Sequence, residues 1–296
     1  DGKYVPIPFN FKSLEILFEE EKSNIIKEKL LASYPDTKKV SILDLLDSKD
    51  EVIKEFGEYV YDKVFVHYTA KQWNIPIEQV DTSVINRVPV ILGYDDRYFQ
   101  DKYQFMPKNG YNEIFENMLS HKNIDIELQK DAKDLLEIKN NKIYVDGLEY
   151  KGEVIYSGAL DELLSYQYGA LPYRSLNLEF TDYKENYYQP SSVVNYPNDE
   201  KFTRITEFKY LSNQIVKDNT TILREYPLTY DYNNSKHIPY YAILNDENKK
   251  LYEKYYSLVK DIKNFHLCGR LAEYKYYNMD AVIKRALELY REIKGE

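Results

Sequence analysis

The 296-residue sequence predicts an α/β (α+β) fold, and three observations predict it. Roughly the first eighty residues repeat their apolar positions at steps of three and four, the helical spacing. The stretch from about 175 to 245 repeats them at every second residue, the spacing of a half-buried strand. Between and after these stretches, short apolar runs lead into helical patterns. The predicted order is therefore helices, a mixed segment, an antiparallel sheet, and a strand–loop–helix return.

Each element rests on a local pattern. SLEILFEEEKSNIIKEKLLASY, from Ser13, reads as helix, with Glu and Lys opposite its apolar face. SKDEVIKEFGEYVYDKVFVHYTAKQW opens with Ser48 and has Glu51 three residues later, which predicts a capping box. Its Val52, Ile53, Phe56, Val60, Val64 and Phe65 line one side. Near residue 87 the pattern changes to a short apolar strand, an Asp-rich turn, Gly110 and an amphipathic helix. Asp146-Gly147 between two alternating runs predicts a hairpin, and Val154 to Tyr156 a strand ending at Ser157-Gly158. LNLEFTDY, SSVVNYP, FTRITEFKYL and TTILREYPLTY predict the antiparallel sheet, and residues 245–261 a helix. The chain closes with apolar Phe265 to Cys268, then Gly269, Arg270, a Tyr-rich connection and a helix from Asp280.

Composition excludes several functions. A net charge of −9 argues against a nucleic-acid binder, which needs a basic face. The single cysteine, Cys268, excludes an intramolecular disulfide and suits a reducing compartment. No apolar run approaches a membrane span and no leader pattern opens the chain, so the expectation is a soluble cytoplasmic protein. The four His show no metal-ligand spacing with Cys or carboxylates, and no metal is expected. Neither a G-x-G-x-x-G, a P-loop nor a G-x-S-x-G elbow occurs. Tyrosine is abundant, 32 against 12 Phe and one Trp, so a pocket rich in it favours oxygen-rich ligands.

What remains is Arg, Tyr and Trp beside structure breaks. Arg87 in VINRVPV and Arg204 in FTRITEF lie within apolar or alternating runs. Each reads either as an ion pair or as a fork for phosphate or carboxylate. Trp73 follows a helix, where core packing is the ordinary reading. Gly269 before the last helix reads either as a tight turn or as an anion site at a helix start. Local physics leaves both pairs of readings open.

GRLAEYKYYNM, TAKQW, RVPV with DDRYFQDKYQ, YGALPYRSL, FTRITEFK and EYPL together resemble the UDP-galactopyranose mutase family, in that family's order and spacing. The resemblance implies a Rossmann-like FAD domain, here incomplete, with a helical domain and an antiparallel sheet domain. On that layout residues 1–86 are helical, 87–108 and 166–262 form the substrate sheet, and 109–165 with 263–296 belong to the FAD domain. It implies interconversion of UDP-galactopyranose and UDP-galactofuranose, with N5 of reduced FAD attacking the anomeric carbon while UDP leaves and later returns. It further implies a role in cell-surface polysaccharide synthesis and a possible homodimer. By motif position, Arg87 and Arg204 hold the pyrophosphate as catalytic groups, and Tyr98, Tyr241 and Tyr276 donate to it. Tyr68 stacks on uracil, and Trp73 and Asn278 lie by the sugar. Gly158, Gly269, Arg270 and Met279 face the flavin. The chain departs from the pattern at Asn278, where Asp is usual, at Cys268, where Gly is common, and at Val64. The family's opening dinucleotide fingerprint is not in this sequence, so a truncated chain with weak FAD binding is expected. The alternative is a non-catalytic nucleotide-sugar-binding module.

Overall fold

A computed structural model describes residues 2–68, 71 and 88–296. The chain divides into two compact units, Asp1–Tyr111 with Leu178–Pro227, and Asn112–Asn177 with Leu228–Glu296.

The first unit begins with helices α1 (Phe11–Leu17) and α2 (Glu20–Ser33). Asn10 caps α1: its side chain accepts from the amides of Lys12 and Ser13, and the Ser13 hydroxyl accepts from the Asn10 amide. Strand β1 (Lys39–Val40), α3 (Ile42–Leu46) and α4 (Glu51–Val60) follow, then a π-helical turn over Tyr61–Val66. The predicted cap of α4 is corrected. Asp50, not Ser48, accepts from the amides of Val52 and Ile53, while Ser48 accepts from the Asp50 amide. The carboxylate wins because it lies at the helix start and carries the charge the helix N-terminus favours. Phe9, Leu14, Leu30, Ile42, Ile53 and Phe56 form the core of this helical region. Strand β2 (Val90–Ile91) pairs antiparallel with β1.

The remainder of the first unit is sheet. Strands β7 (Tyr173–Tyr183), β10 (Thr220–Thr229), β9 (Arg204–Glu207) and β8 (Val193–Asn195) lie in the order β7-β10-β9-β8. The β9 register sets Arg204 opposite Glu225 on one side and Asn195 on the other. The alternating run that begins at Phe202 does not stay extended. After Glu207 it turns into helix α8 (Phe208–Ser212 in sequence), stopped by left-handed Asn213 at φ 51°. Its two-residue period overstated the strand.

The second unit opens with α5 (Asn112–Leu119) and α6 (Ala132–Leu135), then the hairpins of β3 (Leu136–Lys139), β4 (Lys142–Val145) and β5 (Leu148–Glu149). Asp146 and Gly147 take φ 49° and 77°, and Asn140 and Asn141 φ 51° and 58°, the conformation of two-residue hairpin turns. Strand β6 (Val154–Tyr156) pairs in parallel with β12 (Phe265–Leu267). Helices α7 (Leu160–Leu163), α9 (Asp246–Tyr256) and α10 (Met279–Lys294) complete the unit. Strand β11 (Tyr241–Ala242) pairs with the first two residues of β7. The core joins Leu160, Leu171, Tyr173, Tyr255, Phe265 and Tyr274. No helix among the described residues is long and apolar enough to cross a membrane.

Candidate functional site

In the first unit two candidate residues, Arg204 and Tyr68, meet at the β8–β9 hairpin. Arg204 is about one-third exposed, and its Nε donates to Oε1 of nearly buried Glu225 at 2.6 Å. The cross-strand register that places the two face to face also orients the guanidinium. The Tyr68 hydroxyl donates to the Asn195 side chain at 3.4 Å, so it reaches the residue paired with Arg204. Beside them, Arg224 stacks on Tyr183, Tyr188 and Phe202 and donates to both tyrosine hydroxyls. Hydrogen bonding to Tyr183 holds its guanidinium well above the usual arginine range. Tyr98 packs edge-on against Phe99 on an exposed segment. Arg87 and Trp73 lie outside the described residues.

In the second unit the return from β12 to α10 builds a separate cluster. Tyr241 and Tyr276 stack with ring centroids 5.9 Å apart and planes 21° apart. The Arg270 guanidinium lies 4.7 Å from the Tyr276 ring centre and 5.7 Å from that of Tyr241. Its Nε donates to the Tyr277 carbonyl at 2.7 Å. Behind this layer, Glu273 accepts from the Gly269 amide through Oε2 and from Arg285 through Oε1. Burial, followed by the nearby Glu273, pushes the Tyr277 phenol up to about 12. The same loop is therefore tied at Gly269, Arg270 and Glu273, which keeps the Tyr276 ring in place.

Glycines 158 and 269 follow the two parallel strands. Gly269 has φ +118°, where L side chains are strained, and a Cβ there would reach Ser157. A Cβ on Gly158 would come within 2.5 Å of the Tyr156 hydroxyl. Gly158 is thus covered by the Tyr156 phenol, whereas Gly269 presents backbone at the carboxyl end of a parallel strand, where α/β sheets bind ligands. Asn278 caps α10 in extended conformation, φ −75° and ψ 167°, and Met279 opens that helix, largely exposed. No group of His, Cys, Asp and Glu among the described residues could hold a metal ion.

Sequence reasoning missed Arg174. It is buried, donates to the Thr229 hydroxyl at 3.2 Å, and lies opposite Tyr241 in the strand register. Burial pulls its guanidinium down from the usual arginine range. The signal was present: Arg174 sits within a strand, the same context that singled out Arg204. Lys71 was also missed, and nothing local marks it.

A sequence model of the UDP-galactopyranose mutase family matches residues 63–276. Among similar proteins, the dTDP-fucopyranose mutase of Escherichia coli is 33% identical over 291 residues, covering 97% of this chain and 74% of that one. A probable UDP-galactopyranose mutase of Klebsiella pneumoniae is 34% identical over 289 residues, covering 97% and 71%. The UDP-galactopyranose mutase of Mycoplasma pneumoniae is 31% identical over 284 residues, covering 95% and 71%.

Proposed function

The chain belongs to the UDP-galactopyranose mutase family, and from that premise we propose that it interconverts the pyranose and furanose forms of UDP-galactose. The observation that carries the reading is the Arg270 guanidinium laid over the stacked Tyr241–Tyr276 pair. A cation fixed on two phenols suits an oxygen-rich anion such as a nucleotide sugar.

The residues present fit a flavin on one side. Gly269 turns with positive φ at the end of its parallel strand, with only Ser157 near its missing Cβ. Gly158 ends the neighbouring strand against the Tyr156 ring, and Arg270 and Met279 follow Gly269 in the same connection. When bound, reduced FAD supplies its N5 as the nucleophile toward the anomeric carbon. The protein then needs no Ser, Cys or carboxylate dyad of its own. Its work is to hold a pyrophosphate that gains charge as the glycosidic bond breaks, and to return it when the ring has changed size. That is a task for arginine forks and phenolic donors. Arg204, kept in orientation by Glu225, and Arg87 take this role, with Tyr98, Tyr241 and Tyr276 as donors. Tyr68 stacks on the base, while Trp73 and Asn278 border the sugar. The product would serve cell-surface polysaccharide synthesis in the cytoplasm, from an enzyme able to form homodimers.

The test is to load the protein with FAD, reduce it with dithionite, supply UDP-galactofuranose and follow UDP-galactopyranose by chromatography. Conversion supports the reading, and its absence in the reduced, loaded protein removes it. Tight UDP binding without conversion points instead to a nucleotide-sugar-binding module. One comparison favours a second substrate: the Escherichia coli relative is named for dTDP-fucopyranose. Competition between UDP and dTDP decides which nucleotide the base pocket takes.

A further inference from the structure

The connection between β8 and β9 closes around a lysine that the site described above does not use. The Lys71 Nζ lies 2.6 Å from the carbonyl oxygen of Tyr196, 3.0 Å from that of Asn198, 2.8 Å from that of Glu200 and 3.2 Å from that of Phe202. These are alternate residues, so one face of the loop turns every carbonyl toward a single point. Four converging carbonyl dipoles repel one another unless a cation sits at the centre. An ammonium has three donors, and here four acceptors share them. Burial pulls the lysine down from its usual range, while Glu200 and Asp199 act in the other direction.

Both ends of this loop bear on candidate site residues. The Tyr196 amide donates to the Thr203 carbonyl at 2.8 Å, closing the neck. The residues just outside the neck are the register pair Asn195 and Arg204. Tyr68, three residues before Lys71 and likewise helical, donates to Asn195. One segment therefore grips the hairpin twice, Tyr68 outside the neck and Lys71 inside the loop.

We propose that Lys71 is a positioning residue, whose ammonium is the template on which the 196–202 loop closes, and that through this loop it holds Tyr68 and Arg204 in the geometry the nucleotide requires. A binding constellation needs such a supporting layer, because side chains misplaced by a fraction of an ångström lose much of their affinity. The ligand in this inference rests on the functional reading above; the loop closure does not.

The test is Lys71→Ala, with n-propylammonium added to replace the deleted ammonium and n-propanol as its uncharged counterpart. Two quantities are read: hydrogen exchange at the Tyr196 amide, which closes the neck, and the Kd for UDP by calorimetry. Exchange at that amide is expected to rise at least tenfold and UDP binding to weaken at least tenfold. Propylammonium should restore both and propanol neither. The inference is overturned if the amide stays protected, if propanol restores it equally well, or if UDP affinity is unchanged although the loop has opened. If Lys71→Ala does not fold, Lys71→Met keeps the stem and loses the charge, and wild-type protection and affinity in that variant overturn the inference. If the wild-type chain binds no UDP, the functional reading falls, while amide protection and amine rescue still judge whether Lys71 closes the loop.

Discussion

Two candidate arginines, one in each unit, are held in opposite ways. In the first, Arg204 leans on Glu225, a carboxylate that is almost wholly buried. In the second, Arg270 lies on two aromatic faces and a backbone carbonyl, and no carboxylate among the described residues is within ion-pair distance. Two buried acids, Glu225 and Asp161, differ likewise. Glu225 has its arginine, whereas Asp161 is buried near Tyr173 and Tyr274, accepts from the Leu171 amide, and has no cation partner among the described residues. Pairing fixes direction but spends charge inside the fold. Stacking leaves the charge to act on a ligand.

The largest expected effect is on the paired side. Arg204→Ala leaves the Glu225 carboxylate buried without its partner, and breaking such a pair costs about 4 kcal/mol. Thermal or denaturant unfolding should show that loss. Adding Glu225→Gln in the Arg204→Ala background should recover most of the stability but none of the UDP affinity. If the single variant is as stable as the wild type, Glu225 is solvated and the contrast between Arg204 and Arg270 fails.

Asp161 should give the next largest effect. Burial raises its carboxyl to about 6, while in the unfolded chain it titrates near pH 4. Between those values the folded state holds more protons than the unfolded one, so stability should fall as pH rises from about 4 to about 6, by about 3 kcal/mol. Asp161→Asn should flatten that slope. A slope that survives the substitution would assign it to another group.

Arg270→Ala should act on binding more than on folding. The lost cation–π contacts are worth about 1 kcal/mol, whereas loss of a cation facing the flavin should weaken FAD by about tenfold or more. Calorimetry with FAD set beside a melting curve separates the two. Equal losses in both would make Arg270 a structural group.

How much of this was legible in the sequence follows from sequence distance. The Asp146-Gly147 hairpin, the 154–156 strand and the helix after Asn278 depend on neighbouring residues, and their patterns named them. Local competition defeated the pattern where two residues could do one job, as at Ser48 and Asp50. It did so again where an alternating run folded into α8. Pairings across the chain left no trace. Arg204 meets Glu225 only because β9 and β10 align in one register. Lys71 reaches carbonyls more than a hundred residues away. Family resemblance picked out Arg204, Tyr68, Tyr241 and Tyr276, but it did not reveal what each leans on.

The smallest expected effect lies at Asn278, where the family usually has Asp. The residue holds the N-cap position of α10 without a side-chain hydrogen bond to the helix amides, so no capping bond is at stake in the exchange. What Asp would add is a negative charge at a helix N-terminus, worth a few tenths of a kcal/mol at low salt. Asn278→Asp should therefore raise the melting temperature slightly, and the gain should vanish in 1 M salt, where screening shortens the range of a charge to about 3 Å. The same charge lies two residues from Tyr276 and its stacked partner Tyr241. If that pair receives the pyrophosphate, UDP should bind a few-fold more weakly to the variant at low salt and equally in high salt. A salt-independent change in affinity would mean that Asn278 acts through a hydrogen bond to the sugar, and that the asparagine compensates for the missing charge by shape.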